Sequence, residues 1–441
     1  MMNRILLALY VGGALVLSGC QHAVIDHNVT TERIDSDAIG LQTDSIFEKL
    51  VSIRRDLHTH PELAGNEIRT AATIAARLRE IGLEVRAGLY GHSVVGILRG
   101  AQPGKTIAWR AELDALPGFY PDPEPFRSQT HNVHHACGHD IHIAIALGMA
   151  EVLAKHRASM RGTVLFVFQP EEETFKGAKA LIDRGVFDSI TPDEIYALHI
   201  TAFPVGQILV RSNEVFAHQR RVQIALGGDP TAAEIEALTK AVQAALTRTR
   251  SGAKPWEIQR LGDPEVGVAN PNTAFQDYLI MAPTFNARRE NGDTLLEADL
   301  YETNASNLPG IVPRIERAVE AAGHKSKLRS VSYVQANPTV MNNEKLTRES
   351  IRTLQQAVGA DAVKPIYGQI PFFNDDFAYF QQRIPGVYFV LGGSNFDKGM
   401  IAMNHAPNFH ADEESIRFGV RSFSTLMLAR LGAPLAPAAS N

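Results

Sequence analysis

Cysteine is scarce in this chain of 441 residues, which contains two cysteines, Cys20 and Cys137. Two cysteines cannot form the multi-disulfide framework on which many small secreted domains depend. Basic runs are absent as well, because the net charge is -5 and no cluster of Lys or Arg could follow a phosphate backbone. Nucleic acid is therefore not an expected partner. The hydrophobic content of 45% is instead typical of a globular protein with a large core and room for two or three domains.

The N-terminal segment has the features of an export signal. Arg4 supplies positive charge, residues 5–16 form an apolar run too short for a permanent membrane span, and the sequence Leu-Ser-Gly-Cys ends at Cys20. These four residues resemble a bacterial lipobox, in which the signal peptide is cleaved before a cysteine that becomes acylated. We expect residues 1–19 to be a signal peptide and Cys20 to anchor a lipoprotein to the membrane, facing the periplasm or the cell exterior. The alternative is an ordinary secretory signal followed by an incidental cysteine.

Changes of pattern along the chain predict its domain organisation. Residues 20–40 are assigned to a lipid anchor and polar tether. Alternating helical and strand patterns over residues 41–212 predict the first part of a catalytic domain, an α/β fold with a helix-covered sheet. Residues 213–330 are predicted to form an inserted, smaller α+β lid domain. The α/β pattern resumes over residues 331–441, the second part of the catalytic domain.

Hydrophobic periodicity also predicts individual elements. Helices are expected over residues 45–57, 67–81, 141–153, 232–247, 309–322, 344–358 and 413–431. Strands are expected over residues 94–98, 106–109, 163–168, 194–198, 278–287, 294–301 and 386–391. Ligands gather at the carboxyl ends of strands in open α/β sheets, so polar residues that directly follow these strands are candidate site residues.

The strongest metal-binding pattern is the HACGHD segment at residues 135–140, which places the thiol of Cys137 two residues from the imidazole of His139. Borderline metals such as zinc accept sulfur, nitrogen and carboxylate oxygen together, whereas calcium and magnesium prefer oxygen alone. A lone cysteine is more often a small buried hydrophobe. The neighbouring imidazole makes a metal ligand the better interpretation here.

Three further candidate ligands come later in the chain. Glu173 ends an acidic triplet that follows a predicted strand, His199 directly follows another, and His405 belongs to an Asn-His-Ala-Pro segment. Each has an ordinary alternative, either a solvated acidic face or a structural histidine. Together with Cys137 and His139 they make five ligands, enough to hold two divalent ions with open coordination positions. Zinc is the expected metal, with manganese, cobalt and nickel as alternatives.

Two carboxylates are left for roles other than metal binding. Glu172, beside Glu173 but pointing elsewhere, is the candidate general base that takes a proton from water and delivers it to the leaving amine. Asp114 follows the strand predicted over residues 106–109. It is the candidate that orients a metal ligand without binding the metal itself. The remaining histidines of this region are interpreted as mostly structural or surface residues: His131, His134, His135 and His142.

Eight segments occur in the order typical of one enzyme family. They are RRDLHTHPEL at 54–63, RAELDALP at 110–117, HACGHD at 135–140, FQPEEE at 168–173, LH at 198–199, DDF at 375–377, PGVY at 385–388 and NHAPNF at 404–409. The chain resembles the amidohydrolase branch of the aminoacylase and carboxypeptidase di-metal peptidase family, which includes hippurate hydrolases and auxin-conjugate hydrolases. The resemblance implies the same five metal ligands, with Glu172 as general base. It also implies hydrolysis of an amide between an acyl group and an amino acid, and a lid that often forms a dimer interface.

The sequence departs from that branch at three places. Members usually carry a lid histidine that stabilises the oxyanion, but the corresponding residues 224–230 contain none, and His218 is the nearest substitute. The usual Asn and Arg pattern that clamps the substrate carboxylate is missing from the lid strands, where Asn286 and Arg288 are the candidates for this role. Glu112 stands where an aspartate is usual.

These observations predict a lipid-anchored, metal-dependent amidohydrolase that cleaves N-acyl amino acids or short peptides. One alternative is a dipeptidase or carboxypeptidase with the same metal centre. The other is a ligand-binding lipoprotein that keeps the fold without turnover, which the missing lid histidine suggests.

Overall fold

The structure is a computed structural model of the chain, and it describes residues 35–118 and 121–433. The predicted signal peptide, Cys20 and most of the predicted tether lie outside the described residues. Within them, no helix combines the length and the apolar composition that crossing a bilayer requires.

Helices and strands alternate through most of the described chain. The helices are α1 Ser36–Thr59, α2 Ile68–Ile81, α3 His139–Lys155, α4 Gly177–Asp183, α5 Ala232–Leu246, α6 Leu308–Val319, α7 Glu344–Val358, α8 Phe377–Gln381 and α9 Glu414–Arg430. The strands are β1 Glu84–Ala87, β2 Val94–Arg99, β3 Gln102–Glu112, β4 Leu116–Pro117, β5 Val133–His134, β6 Arg161–Gln169, β7 Glu194–Pro204, β8 Ile208–Val210, β9 Asn213–Glu214, β10 His218–Gly227, β11 Leu279–Met281, β12 Asn286–Glu290, β13 Asp293–Glu302, β14 Leu328–Gln335, β15 Met341–Asn342, β16 Val363–Pro365 and β17 Gly386–Ser394.

The larger sheet has eight strands in the order β1-β2-β6-β3-β7-β17-β8-β16. Its central strands β6, β3, β7 and β17 are mutually parallel. Strand β2 runs antiparallel to both β1 and β6, and β8 runs antiparallel to β17 but parallel to β16. The carboxyl ends of the four parallel strands therefore meet at one edge of the sheet. Ligand sites of α/β proteins form at this edge.

Alternate residues of each strand pack on opposite faces of this sheet, as the pleat requires. On β6, Phe166 and Phe168 join the core formed with α1, α2, α3 and α9. Leu165 and Val167 join the core formed with α4 and α8 on the other face. The predicted α/β sheet covered by helices is confirmed.

The first helix begins earlier than its apolar spacing alone predicts. The side chain of Asp35 caps α1 by accepting a hydrogen bond from the backbone N–H of Asp37 at 2.9 Å. Ile39 is completely buried and extends the apolar stripe of the helix. The predicted tether over residues 20–40 is therefore wrong at its end, because residues 36–40 belong to the folded body.

The second, smaller sheet has the order β11-β13-β10-β14, and β12 also pairs with β13. Helices α5 and α6 contribute to its hydrophobic core. The predicted strand over residues 278–287 is replaced by the short strands β11 and β12, with Pro283, which cannot donate to a ladder, in the gap between them. Strand β14 crosses the predicted lid boundary at 330/331 because its residues pair with β10 as far as Gln335.

Candidate metal centre

A cleft of about 440 Å³ opens at the carboxyl edge of the larger sheet and is lined by residues from both sheets. Four of the five candidate ligands line it, namely Cys137, Glu173, His199 and His405, and Glu172 lies beside them. His139 is completely buried behind them. The structure therefore brings together all of the predicted ligands from four separate segments of the chain.

A tight turn aims Cys137 and His139 at the same point. Gly138 between them adopts a φ of 86° and caps the start of α3. A Cβ atom at this position would lie 2.5 Å from Cγ2 of Ile200, so only glycine fits both the backbone angle and the space. This glycine therefore allows Cys137 and His139, two residues apart, to point to the same place.

The candidate ligands form two groups that share one sulfur. Cys137, His139 and His199 make up the first group, and Cys137, Glu173 and His405 make up the second, with the ligand atoms of each group within 4.8 Å of one another. The Cys137 Sγ atom lies 3.3 Å from Nε2 of His199 and 3.3 Å from Nε2 of His405. Its sulfur therefore lies where a thiolate could bridge two neighbouring cations.

Backbone carbonyl groups orient two of the imidazole rings. Nδ1 of His139 lies 2.7 Å from the carbonyl oxygen of Asp114, and Nδ1 of His199 lies 2.8 Å from that of Ile200. Donation from each Nδ1–H leaves Nε2 with a lone pair that can bind a metal ion. Among the described residues, Nε2 of His139 is buried without a hydrogen-bond partner, and Oε1 of Glu173 lies 3.3 Å from Nε2 of His405. A metal ion is the partner that fits the orphaned nitrogen of His139.

Asp114 lies directly behind the glutamates. Its carboxylate accepts hydrogen bonds from the backbone N–H of Glu172 at 3.1 Å and of Glu173 at 2.9 Å. Asp114 follows β3 and the glutamates follow β6, so this contact joins the loops of two adjacent parallel strands. Asp114 is thus a positioning residue rather than one that faces the cleft. Glu172 is buried, with Oε2 3.9 Å from Nε2 of His139.

Asn404 connects three of the segments that carry ligands, a role that the sequence did not reveal. Its side-chain amide donates to the carbonyl oxygens of Cys137 and Ile200 at 3.0 and 2.9 Å. The next residue, His405, donates its backbone N–H to Ala136 and has a φ of 59°, which is unusual for a residue other than glycine. The strained backbone turns the imidazole of His405 toward the sulfur.

The longer side chain at Glu112 has a visible structural role. Its carboxylate lies 2.8 Å from Nδ1 of His142, and Nε2 of His142 accepts the backbone N–H of Ile200 at 2.9 Å. This chain of bonds supports β7 immediately after His199. His142 is therefore structural, as predicted, and His131 is exposed, whereas His134 and His135 are buried.

A buried ion cluster holds the acidic loop from the other side. Arg110 donates to Asp376 at 2.9 Å and also contacts Glu112 and Asp375. Asp376 in turn accepts hydrogen bonds from Gln169 at 2.7 Å and from the backbone of Ala178 at 2.9 Å. The Asp-Asp-Phe segment therefore fixes both ends of the loop that carries Glu172 and Glu173.

Negative charge is concentrated in the centre. Burial raises the pKa of the Cys137 thiol, and the charges of Glu173 and Glu172 raise it further. Burial also raises the pKa of Glu172 well above its usual value, helped by Asp375 and Glu173. Burial has the same effect on Glu173, but its hydrogen bond with His405 and the charge of His139 outweigh it and bring the pKa to about 2. A divalent cation would supply the missing positive charge.

The lid side of the cleft is built from residues that the sequence analysis did not single out. Gln219 and Arg221 on β10, together with Gln335 and Asn337, line the cleft. His218 is not among the lining residues, because alternate side chains of a strand point to opposite faces. The suggestion that His218 replaces the missing lid histidine is therefore not supported by its position.

The suggested carboxylate clamp is also wrong. Asn286 and Arg288 lie on the fully exposed strand β12 and are not among the residues that line the cleft. Asn286 pairs with Glu297 of β13, whereas Gln219 of the cleft wall pairs with Tyr301 toward the other end of that strand. Sequence pattern alone did not reveal which end of the lid sheet faces the metal centre.

Comparison with known proteins agrees with this architecture. Residues 108–429 match the peptidase family M20/M25/M40. The chain belongs to this family. Thermostable carboxypeptidase 1 from Saccharolobus solfataricus, a relative, is 30% identical over 86% of this chain and 95% of its own length. The N-acetylcysteine deacetylase of Bacillus subtilis is 28% identical over 86% of this chain and 96% of its own length.

Solved structures of the M20 family have the same fold. The crystal structure of a dinuclear metal-binding M20 peptidase from Bacillus subtilis has a TM-score of 0.70 and 24% sequence identity, covering 88% of this chain and 99% of its own. Membership of the family confirms the predicted enzyme class, a metal-dependent hydrolase of the amidohydrolase and peptidase type.

Proposed function

We propose that this M20 hydrolase cleaves the amide bond of N-acyl amino acids or short peptides. The observation that carries the proposal is the thiol of Cys137, shared by two ligand groups beside the buried carboxyl group of Glu172. We propose that two divalent ions, zinc by preference, are held by the following residues: Cys137, His139, Glu173, His199 and His405. Bound there, the ions would supply Lewis acidity that polarises the scissile carbonyl and lowers the pKa of water.

Glu172 is the group that moves the proton in this proposal. Burial raises the pKa of its carboxyl group, and the nearby charges of Asp375 and Glu173 add to the effect. A carboxylate of raised basicity can accept the proton of the attacking water and later donate it to the leaving nitrogen. Asp114 holds the backbone of Glu172 in place and takes no part in the transfer.

The walls of the cleft suggest how such a substrate would bind. The lid side presents polar groups from Gln219, Arg221 and Asn337, which suit the carboxylate of an amino acid. The cleft is also lined by Phe216 and Phe372, which suit an apolar acyl group or side chain. A cleft of about 440 Å³ matches a small molecule rather than a folded protein.

A carboxypeptidase or dipeptidase activity is the second candidate, because the 30% identical relative bears the name of a carboxypeptidase. A free dipeptide brings a positively charged amino group, which needs a carboxylate partner. Among the described residues that line the cleft, the acidic ones are Glu172 and Glu173. Both are assigned to other roles, so an uncharged acyl group fits this cleft better than a free amine.

A substrate panel tests the proposal. Metal-loaded protein is assayed with N-acetyl and N-benzoyl amino acids and with the corresponding free dipeptides, and we expect faster hydrolysis of the acylated compounds. Glu172→Gln should lower kcat by about 10²–10⁴-fold, the usual contribution of a positioned proton carrier, and leave the metal content unchanged.

The neighbouring acidic residue provides a matched control. Glu171 accepts a hydrogen bond from the hydroxyl group of Tyr90 at 2.9 Å and is not among the cleft-lining residues, so Glu171→Gln should keep wild-type kcat. Faster hydrolysis of dipeptides would favour the second candidate. Tight binding of acyl amino acids without cleavage, unchanged by Glu172→Gln, would instead indicate a binding lipoprotein.

We also propose that the mature protein is a lipoprotein held at the membrane by acylated Cys20, facing the periplasm or the cell exterior. The support is the charge, the short apolar run and the Leu-Ser-Gly-Cys sequence at residues 17–20. We further propose that the protein forms a homodimer through the lid. Light scattering of the protein lacking residues 1–20 tests the dimer. A measured mass equal to one chain would contradict it.

A further inference from the structure

A second group of potential metal ligands lies outside the cleft. His58 at the end of α1, Asp122 between β4 and β5, and His134 on β5 bring one ligand atom each within 4.8 Å of one another. The side chains of His58, Asp122 and His134 are 0%, 8% and 3% exposed. None of the three belongs to either group that contains Cys137.

The distances within this group suit a zinc-class ion. Oδ2 of Asp122 lies 3.1 Å from Nε2 of His58 and 3.2 Å from Nε2 of His134. Zinc binds such atoms at about 2.0–2.1 Å, so two ligands at a tetrahedral angle are roughly 3.3 Å apart. The observed separations therefore need only small adjustments around a bound ion.

Both ends of the group are held in place by further contacts. Nδ1 of His58 lies 2.9 Å from Asp140, which also accepts a hydrogen bond from Arg54 at 2.9 Å. A carboxylate on the far nitrogen of an imidazole is the usual support of a metal-binding histidine. Asp122 is fixed by the backbone N–H groups of Glu124 at 3.0 Å and of Ser128 at 2.8 Å.

The surrounding charges leave room for a cation. Three carboxylates and two guanidinium groups beside the group are linked by ion pairs, and Asp122 within the group is a fourth carboxylate; the six residues are Asp140, Glu124, Glu413, Arg54, Arg55 and Asp122. With neutral imidazoles, this set carries two more negative than positive charges. Uncompensated buried charge is costly, and one divalent ion would balance it.

We propose that His58, Asp122 and His134 form a third metal site, for a zinc-class divalent ion and separate from the proposed catalytic pair. Its role would be structural. The ion would join the end of α1 to the segment that enters the HACGHD motif, because His134 precedes Cys137 by three residues. It would therefore stabilise the approach to the catalytic centre without contacting substrate.

The alternative occupant of this group is a proton. Burial lowers the pKa of His58, but the hydrogen bonds with Asp122 and Asp140 outweigh it and raise the pKa overall. A protonated His58 would satisfy both carboxylates without a metal. The two cases differ in metal content and are separated by the following experiment.

Metal counting on variants tests the third site. Full-length protein is saturated with zinc, dialysed and analysed by elemental mass spectrometry. We expect Asp122→Asn and His134→Gln each to hold one equivalent of zinc fewer per chain than wild type. His131→Gln, which changes an exposed histidine of the same segment, should hold the wild-type amount.

Diffraction from zinc-loaded wild-type crystals provides a second readout that needs no variant to fold. We expect an anomalous peak between Nε2 of His58, Nε2 of His134 and Asp122. Unchanged zinc in both variants, or anomalous peaks only around Cys137, would overturn the third site. Loss of hydrolysis in Glu172→Gln with this peak retained would separate the third site from the proposed function.

Discussion

The carboxylate of Asp114 accepts the backbone N–H of Glu173 at 2.9 Å, so one loop of the sheet positions a proposed metal ligand carried by the next. The same carboxylate also accepts the N–H of Glu172 at 3.1 Å. One buried side chain therefore sets the position of both the proposed ligand and the proposed proton carrier. A substitution of Asp114 should therefore affect both metal binding and turnover.

Asp114→Asn should weaken metal binding. The amide presents an NH₂ group to one of the two backbone N–H donors and leaves that donor unsatisfied, at a cost of about 1–3 kcal/mol. Changes to such supporting residues typically lower metal affinity by about 10–100-fold. Competition with a chromogenic chelator measures it. Asp56→Asn, at a partly exposed ion pair with Arg69, is the control, and equal affinities in the two variants would contradict this role for Asp114.

Arg221→Gln should raise KM for substrates that carry a free carboxylate. Arg221 lines the lid wall of the cleft and is also paired with Asp299 at 2.8 Å. Loss of a hydrogen bond to a charged group costs about 1.5–3 kcal/mol, which corresponds to about 10–100-fold in kcat/KM. Substrates whose carboxylate is replaced by an amide should be affected less. Initial rates on matched pairs of substrates test this, with a substitution of the exposed Arg288, Arg288→Gln, as control. An equal loss of kcat/KM for both substrates of a pair would contradict this role for Arg221.

The positions of the candidate ligands at strand ends could be predicted because the residues concerned lie in short segments. Glu173 and His199 each follow an apolar run, and parallel strands bring their carboxyl ends to one edge whatever the details of the loops. The role of Asn404 could not be predicted in this way. Its amide bonds to carbonyl groups of residues more than two hundred positions away, and only the folded loops bring them within reach.

The lid wall was missed for a different reason. The sequence predicts that alternate residues of β10 point to opposite faces, but it does not say which face meets the cleft. The imidazole chemistry of His218 favours it in the sequence, whereas the pairing of the strands directs Gln219 and Arg221 to the cleft. The start of α1 was placed too late because Asp35 and Ile39 lie within a polar stretch.

Acid should remove the stabilising effect of Glu194 within a defined pH range. Burial raises the pKa of Glu194, but hydrogen bonds from Arg430, Lys105 and Tyr196 outweigh it and lower the pKa from 4.5 to about 2. Because the folded pKa is the lower one, the stabilisation is complete above about pH 4.5 and is lost as the pH falls toward 2.

Glu194→Gln isolates this effect. The variant should be about 1.5–3 kcal/mol less stable than wild type at pH 7, the usual value of hydrogen bonds to a charged group. The difference should shrink when denaturant unfolding is repeated at successively lower pH below 4.5. A difference that stays constant down to pH 2 would assign the stabilisation to packing rather than to the charge of Glu194.

Cys20→Ala should release the protein from membranes if Cys20 carries the lipid. Acyl chains provide the membrane affinity of a lipoprotein, and the substitution removes their attachment point. Fractionation of cells that express the wild type and the variant measures it, with the amount of each protein in the membrane pellet as readout. A variant that stays in the pellet would argue against lipidation at this position.

Metal content of Cys137→Ala tests the central claim most directly. Because both ligand groups contain this sulfur, its removal should weaken the binding of both proposed ions. We predict that, after zinc loading and dialysis, Cys137→Ala holds two equivalents of zinc fewer per chain than wild type. Equal zinc in the two proteins would show that Cys137 is not a ligand and would contradict the shared metal centre.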